Sequence, residues 1–179
     1  RIGYPLLVKA RSGGGGRGIR LVKSAEGFEN AFQSASNEAQ LAFGDGACYL
    51  EKYIYPAKHI EMQLLCDVQG NVVALGEREC SVQRHNQKLI EESPSPAISP
   101  ETRKKMIEVS VKAAKAAKYT NAGTIEFLFD TDGNFYFMEM NTRLQVEHSV
   151  TEMVTNIDIV KWQIRIANGV PLSFKQDDI

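Results

Sequence analysis

Cysteine and long apolar runs are scarce in this sequence, and their scarcity excludes several classes of protein. The three cysteines are Cys48, Cys66 and Cys80, and no two of them form the C-x-x-C pair that zinc sites and redox motifs use. Because their number is odd and each lies in a strand-like run, we expect buried free thiols in a reducing compartment. No segment approaches the roughly 18 consecutive apolar residues of a membrane helix, and no signal peptide opens the chain.

An excess of positive charge is also missing. The sequence has 21 Lys and Arg against 22 Asp and Glu, so it lacks the basic footprint of a nucleic-acid partner. With 43% hydrophobic residues in a chain of 179, the composition is that of a globular protein with one large domain or two small lobes. The chain opens at Arg1 and enters a strand at once, so we expect a piece of a longer protein.

The apolar pattern indicates strands more often than helices. The stretch "HIEMQLLCD" alternates and pairs through "VQGN" with "VVALGERECSVQ", which predicts a hairpin. Its inward positions are Ile60, Met62, Leu64 and Cys66. Helices are expected in three places, the last from about Asp158 to Ala167. The order predicts an α+β fold with mainly antiparallel sheet and a seam between lobes near residues 53–58.

A run of glycines, "GGGGRG", follows the first strand. It contains a formal G-x-G-x-x-G, but the chain returns to the extended stretch "IRLVK" rather than entering a helix, so the Rossmann context fails. No Gly-Lys-Ser/Thr follows, which excludes a Walker A loop. A glycine flap that covers nucleotide phosphates fits better, with Lys9 on the entering strand to neutralise charge. The alternative is a flexible hairpin tip.

Two carboxylates are predicted to face each other across a second hairpin. If "GTIEFLFD" and "FYFMEMN" pair around Asp132-Gly133, Glu126 lies opposite Glu139, and Thr124 lies opposite Asn141. Like charges directly opposed across strands are destabilising. A hard cation such as Mg²⁺, bound by Glu126, Glu139 and Asn141, would offset the repulsion. The alternatives are two carboxylates fanned into solvent, or a proton that they share.

The alternation continues past this hairpin in "EMNTRLQVEH". If the strand runs on, Arg143, Gln145 and Glu147 join the same side as Glu139 and Asn141. Arg143 could then hold an anion or stabilise an oxyanion, and Glu147 could act as a general base. The alternative is the wet face of a half-buried strand.

Several long stretches resemble one family. "VKARSGGGGRGIRLV", "LEKYI", "ERECSVQRHNQKLIEESPSP", "GTIEFLF" and "FMEMNTRLQVEHSVTEMVT" are similar to the biotin carboxylases of biotin-dependent carboxylases, members of the ATP-grasp superfamily. The resemblance covers essentially the whole chain. It implies two α+β lobes that grip a nucleotide: a small lobe with the flap at 1–54 and a larger one with the metal and bicarbonate site at 55–179. The family's N-terminal and C-terminal regions would lie outside this chain.

The resemblance also implies roles for individual residues. Bicarbonate would be held by Lys88, Arg143 and the backbone of Val146, and Glu147 would deprotonate it. Arg143 would stabilise the enolate of biotin. The metal ligands would be Glu126, Glu139 and Asn141. The implied nucleotide contacts are Lys9, Gly15, Gly16, Glu51, Lys52, Ile54, His59, Gln83, Glu126 and Glu139. Asn86 stands where some members carry His, which puts one nucleotide contact in doubt.

The implied activity is ATP-dependent carboxylation of carrier-bound biotin by bicarbonate, through carboxyphosphate. ATP and Mg²⁺ (or Mn²⁺) would be required. A biotin carboxyl carrier, a carboxyltransferase and a second copy of the full-length chain would be partners, in the cytoplasm or, in a eukaryote, the mitochondrion. The parent system would be an acyl-CoA or pyruvate carboxylase, and bacterial acetyl-CoA carboxylase is the one expected. Two alternatives stay open: a nucleotide-binding core that is inactive without its missing domains, or another bicarbonate-phosphorylating ligase such as a carbamoyl phosphate synthetase.

Overall fold

The chain divides into two compact units, Arg1–Tyr55 and Pro56–Ile179. The structure, a computed structural model, describes residues 2–13 and 17–179. The expected phosphate contacts of Gly15 and Gly16 therefore lie outside the described residues. Every strand pairing is antiparallel, which confirms the predicted α+β class.

The first unit is a three-stranded sheet covered by one helix. Its elements are β1 (Leu6–Ala10), β2 (Ile19–Val22), α1 (Phe28–Phe43) and β3 (Cys48–Lys52), with sheet order β2-β1-β3. Leu6, Val8 and Ala10 of β1 are buried, and the first two pack with Ala35 of α1. This alternation leaves Lys9 on the other face of the sheet.

The glycine run connects two paired strands, as predicted. The amide of Ala10 donates to the carbonyl of Gly18 at 2.9 Å, and β1 pairs with β2 from Lys9 opposite Ile19 onward. Gly18 has φ +70, and a Cβ built there would lie 2.6 Å from the Cβ of Ala10. Only glycine fits where the loop closes.

The second unit is a five-stranded sheet, order β6-β5-β4-β7-β8, with helices on its faces. Its elements are β4 (Ala57–Cys66), β5 (Val72–Arg84), β6 (Gln87–Glu92), α2 (Pro100–Ala116), β7 (Asn121–Asp130), β8 (Phe135–Asn141), α3 (His148–Thr155) and α4 (Ile159–Ala167). Ser99 caps α2 by accepting from the amide of Thr102, and Asp158 caps α4 through the amide of Lys161. The sequence patterns did not predict β6 or α3 as elements of their own.

The central strand β4 is buried on both faces. Ile60, Met62, Leu64 and Cys66 pack into the predicted core against α2. On the opposite face Leu65 packs with Trp162 and Ile166 of α4, while Glu61 and Gln63 are fully buried. A polar stretch therefore lies inside the protein, and it leads into the candidate site.

The β7–β8 hairpin has the predicted register at the site but not at its turn. Glu126 lies opposite Glu139, and Thr124 lies opposite Asn141. Near the turn the pairing is Phe129 with Phe135, one residue out of step. A β-bulge between Glu126 and Phe127 restores the site register by adding one residue to β8.

Strand β8 ends at Asn141. The condition under which Arg143, Gln145 and Glu147 would share one side of a continuous strand is therefore not met, because residues 142–147 are irregular and α3 begins at His148. All three cysteines are free, Cys66 and Cys80 buried and Cys48 half-buried. Within residues 2–13 and 17–179, every helix is too short or too polar to cross a bilayer.

Candidate active site

A half-buried lysine joins three carboxylates at the centre of the second unit. Lys88 of β6 reaches across the sheet, and its Nζ lies 2.6 Å from Glu61 Oε2, 3.1 Å from Glu126 Oε1 and 2.6 Å from Glu147 Oε1. All three carboxylates are nearly or fully buried. Sequence reasoning gave Lys88, Glu126 and Glu147 site roles, and the fold brings these three together.

Glu126 is fully engaged by its neighbours. Its Oε1 accepts from the amides of Asn141 and Gln145, each at 2.8 Å, in addition to Lys88. Its Oε2 lies 2.8 Å from Nε2 of His59, whose Nδ1 lies 2.8 Å from Nε2 of Gln83. When Gln83 donates to Nδ1, Nε2 carries the ring proton.

These contacts fix the charge states. Burial raises the pKa of Glu126, but the hydrogen bond and charge of His59, together with Lys88, outweigh it and lower the pKa to about 2. Burial likewise opposes the ionised form of Glu147, yet Lys88 lowers that pKa. Burial disfavours the Lys88 ammonium, but the charge of Glu61 and hydrogen bonds to Glu147 and Glu61 raise its pKa. At neutral pH Glu126 and Glu147 are therefore ionised beside a protonated Lys88.

Two residues of this cluster were missed from the sequence. Glu61 lies opposite Glu126 on neighbouring strands, and Arg78 of β5 donates from Nε to Glu61 Oε1 at 2.6 Å. Both side chains are fully buried. The available signal was the "IEMQ" alternation within strands otherwise rich in apolar residues, but period two alone cannot distinguish a buried polar face from a wet one.

The remaining predicted residues of this unit lie nearer the surface. Glu139 is opposite Glu126 in the ladder but exposed, and Asn141 is half-buried. Arg143 is exposed and donates to the carbonyl of Leu144 at 3.2 Å. The side chain of Val146 is 90% exposed. These residues lie close to the members of the buried cluster along the chain or in the ladder, and an anion or a cation can reach their side chains from solvent.

The first unit holds a smaller polar pair. Lys9 Nζ lies 2.6 Å from Glu51 Oε1 across the β1–β3 pairing, so two residues with predicted nucleotide roles meet. Lys52 is exposed at the end of β3, and Ile54 is half-buried. At the stem of the glycine loop, Asp45 accepts from Arg11 at 3.0 Å and Ser12 at 2.8 Å.

Hard-metal chemistry fits one part of this site. Glu126, Glu139 and Asn141 lie on one face of the β7–β8 hairpin because cross-strand partners share a face. They offer carboxylate and amide oxygens, the ligand types that Mg²⁺ and Mn²⁺ prefer. Glu147, ionised and hydrogen-bonded to Lys88, can accept a proton, while Lys88 can bind an anion.

Comparison with known proteins points to a single group of enzymes. A family model described as carbamoyl-phosphate synthase L chain, ATP binding domain, matches residues 1–175. A biotin carboxylase from Nostoc sp. is 57% identical over 178 residues, covering 99% of this chain and 40% of the relative. The mitochondrial methylcrotonoyl-CoA carboxylase subunit alpha of Mus musculus is 53% identical over 179 residues, covering 100% of this chain and 25% of the relative.

Solved structures give the same result. The biotin carboxylase-beta-gamma-ATP complex from Campylobacter jejuni superposes with a TM-score of 0.96 at 53% identity, covering 99% of this chain and 40% of that one. The biotin carboxylase domain of Hydrogenobacter thermophilus 2-oxoglutarate carboxylase, solved with MgADP, ADP and bicarbonate, gives 0.95 at 57% identity, covering 99% and 39%. The chain thus spans between 25% and 40% of the length of these relatives.

Proposed function

The chain belongs to the family described as carbamoyl-phosphate synthase L chain, ATP binding domain, and we propose that it is the ATP-grasp core of a biotin carboxylase. In this proposal it serves ATP-dependent carboxylation of biotin by bicarbonate. Its α+β fold matches biotin carboxylase structures at TM-scores of 0.96 and 0.95. The observation that carries the proposal is the Lys88 ammonium, held 2.6 Å from Glu147 in a buried carboxylate cluster.

Lys88 and Glu147 form an anion-binding cation beside a base. Bicarbonate would replace part of the Lys88–Glu147 contact, with Arg143 and the backbone of Val146 as further donors. Glu147, kept ionised by Lys88, would accept the bicarbonate proton as the bicarbonate oxygen bonds to the γ-phosphorus of ATP. The bond from that phosphorus to the bridging oxygen breaks, and ADP leaves.

The product of this step would be carboxyphosphate, which breaks down to CO₂ and phosphate. Phosphate then takes the ureido proton of biotin, and the N1 atom attacks CO₂. The exposed guanidinium of Arg143 would stabilise the negative charge that develops on the biotin oxygen. Exclusion of water protects carboxyphosphate from hydrolysis.

Nucleotide contacts are proposed for each unit taken by itself. Lys9 and Glu51 are in contact, and a triphosphate would draw the Lys9 ammonium toward itself. His59, Gln83 and the glycine loop with Gly15 and Gly16 would supply further contacts, and Lys52 and Ile54 would meet the base. The metal would be held by Glu126, Glu139 and Asn141. Bound Mg²⁺, with Mn²⁺ as a substitute, would neutralise phosphate charge.

The parent protein would act with a biotin carboxyl carrier and a carboxyltransferase, as a homodimer. Acetyl-CoA carboxylase is the parent system that we propose. Its compartment would be the bacterial cytoplasm or a eukaryotic organelle; two relatives are described as chloroplastic and mitochondrial. Sedimentation of the natural full-length protein as a monomer at working concentration would contradict the dimer.

The deciding experiment is phosphate release from ATP with Mg²⁺ and bicarbonate, with and without free biotin. It is run on the protein as its natural gene encodes it and on the present chain alone. Biotin is expected to stimulate release, and Glu147→Gln to lower it by about 10²- to 10⁴-fold, the contribution of a general base. Glu108→Gln, the same change at an exposed position of α2, is the matched control and leaves the rate unchanged.

The alternatives give different results. Stimulation by ammonia instead of biotin indicates a carbamoyl phosphate synthetase type of reaction. Release by the natural protein but not by this chain, while the chain still binds Mg-ADP, indicates a binding core that needs its missing domains. Release that survives Glu147→Gln at the full rate overturns the role of Glu147.

A further inference from the structure

We propose that Arg78 is a positioning residue, whose buried guanidinium sets the relative places of Lys88 and Glu147. The inference rests on the proposed function, because it concerns the geometry of the same site. Arg78 would not touch a substrate. It would act through the groups that it holds, Glu61 on one side and the segment around Glu147 on the other.

The guanidinium is fully buried and donates in several directions. Its Nε contacts Glu61 at 2.6 Å, and its Nη1 contacts Gln63 at 2.8 Å and Thr151 at 2.7 Å. Its Nη2 lies 3.4 Å from Thr124 and from Gln145. These partners come from β4, β7, the 142–147 segment and α3. A lysine has a single nitrogen and cannot reproduce this fork.

The first route runs through Glu61. One oxygen of this carboxylate accepts from Arg78 at 2.6 Å, and the other accepts from Lys88 at 2.6 Å. The carboxylate is fully buried, so its orientation is set by these two cations rather than by water. Fixing Glu61 therefore fixes where the Lys88 ammonium stands relative to Glu147.

The second route runs through α3 and the segment before it. Thr151 lies in the first turns of α3, which begins directly after Glu147. Gln145 accepts weakly from Arg78 and donates to Glu126 Oε1 at 2.8 Å. The backbone that carries Glu147 is thus tied to the guanidinium on both sides of that residue.

The competing explanation is that Arg78 only stabilises the fold. The same unit offers a comparison for it. Arg103 makes a fork onto the buried carboxylate of Glu77, with contacts of 2.9, 2.9 and 2.8 Å, and its remaining contact is the carbonyl of Ser95 at 3.4 Å. Losing this fork weakens the ion pair of one buried carboxylate, Glu77, outside the Lys88 cluster.

The test compares Arg78→Lys with Arg103→Lys in the protein as its natural gene encodes it. We expect Arg78→Lys to lower kcat by about 100-fold, the scale of a misplacement of about 1 Å, with KM for ATP changed less than about twofold. Hydrogen exchange at the amides of residues 145–151 should become faster. Arg103→Lys should lower Tm without changing kcat or the exchange of that segment.

Equal effects overturn the inference: if both variants lose only thermal stability, Arg78 is structural. If Arg78→Lys does not fold, Thr151→Val removes one acceptor and keeps the guanidinium, and an unchanged kcat and unchanged exchange at 145–151 then overturn it. If the unmodified protein lacks bicarbonate-dependent ATP cleavage, the proposed function fails. Hydrogen exchange at the amides of residues 145–151 then decides by itself whether Arg78 is a positioning residue. Faster exchange in Arg78→Lys still supports positioning, and unchanged exchange overturns it.

Discussion

The second unit contains two buried groups of charge that differ in one respect. Around Glu77, a single carboxylate meets a single arginine, Arg103, and an amide donor, the N–H of Ser95 at 3.0 Å. Around Lys88, one ammonium is shared by three carboxylates. The first group is closed, since each charge has its own partner. The second is not, so an arriving anion or metal ion can take over one of the contacts.

This contrast shows that a fold can enclose a charged group and still leave one of its ionic contacts available to a ligand. A buried ion pair whose hydrogen bonds are all made gains little stabilisation from an additional ion. A lysine with three acidic partners can surrender one carboxylate and remain paired. The difference predicts that changes at Lys88 alter both stability and chemistry, whereas changes at Glu77 alter stability alone.

The largest effect is expected from Lys88→Met. Three buried carboxylates would then lose their shared cation, and breaking a buried pair by removing one partner costs about 3–5 kcal/mol. The loss should be greatest at neutral pH and shrink as the pH falls, because the variant lacks the cation that lowers the pKa of Glu126 and Glu147, and its buried carboxylates therefore take up protons at higher pH than those of the unmodified protein. Urea unfolding at pH 7 and pH 5 measures it, and a loss that is the same at both values would contradict the shared-cation description.

The next effect is acid sensitivity from Glu126. Its pKa is lowered from 4.5 to about 2, so the native state releases this proton more readily than the unfolded chain. The resulting stability, about 3 kcal/mol, is fully present above pH about 4.5 and is lost as the pH falls toward about 2. Urea unfolding in EDTA between pH 6 and pH 3 tests it. Glu126→Gln should flatten the dependence of the free energy of unfolding on pH. If that dependence is equally steep in both proteins, the protons are taken up by a group other than Glu126.

Glu77→Gln should have a smaller effect. Arg103 is 27% exposed, so water can partly replace its lost partner, and the cost is about 2 kcal/mol, as for a hydrogen bond to a charged group. The Tm should fall while the rate of ATP cleavage per folded molecule stays unchanged. A fall in that rate would erase the distinction between the two groups.

Ser95→Ala should have the smallest effect. The hydroxyl donates to Glu79 Oε2 at 2.6 Å, but Lys58 and Ser81 also contact that carboxylate. The hydroxyl also accepts from the amide of Ala97 at 3.1 Å. A loss of about 1.5 kcal/mol follows, the low end for a hydrogen bond to a charged group, because Glu79 keeps its other donors. Chemical denaturation measures it, with Ser99→Ala at the cap of α2 as a control of similar size. A loss above about 3 kcal/mol would show that Glu79 depends on this hydroxyl alone.

The sequence allowed the local parts of this architecture to be predicted. The strand–loop–strand course of the glycine run and the pairing of Glu126 with Glu139 both follow from short-range patterns, and both are confirmed. In α2 the start at Pro100 and the burial of Met106 were predictable. The family resemblance added Lys88, which no spacing argument could place.

The polar interior could not be predicted, because it depends on what covers β4. Alternation shows that Glu61 shares one face of its strand with Gln63, but the elements over that face come from residues 142–167. The polar alternation after Asn141 left open whether the strand continues, and it gave no sign of α3. Without α3 there is no Thr151 beside Arg78, and the sequence pattern does not distinguish Arg78 from an ordinary polar residue of a half-buried strand.

The bulge in the β7–β8 hairpin separates two pairing registers of the same two strands. Between the turn and Phe127 the cross-strand partners follow one register, and from Glu126 onward they follow a second register. The two differ by one residue because Met138 of β8 has no partner in β7. If the register of the turn ran the full length of the hairpin with no bulge and no residue removed, Glu126 would pair with Met138. Glu139 would then pair with Ile125, on the opposite face of the sheet from Glu126. Such a hairpin would have a regular ladder and yet separate the two carboxylates, so an intact fold is no proof of an intact site.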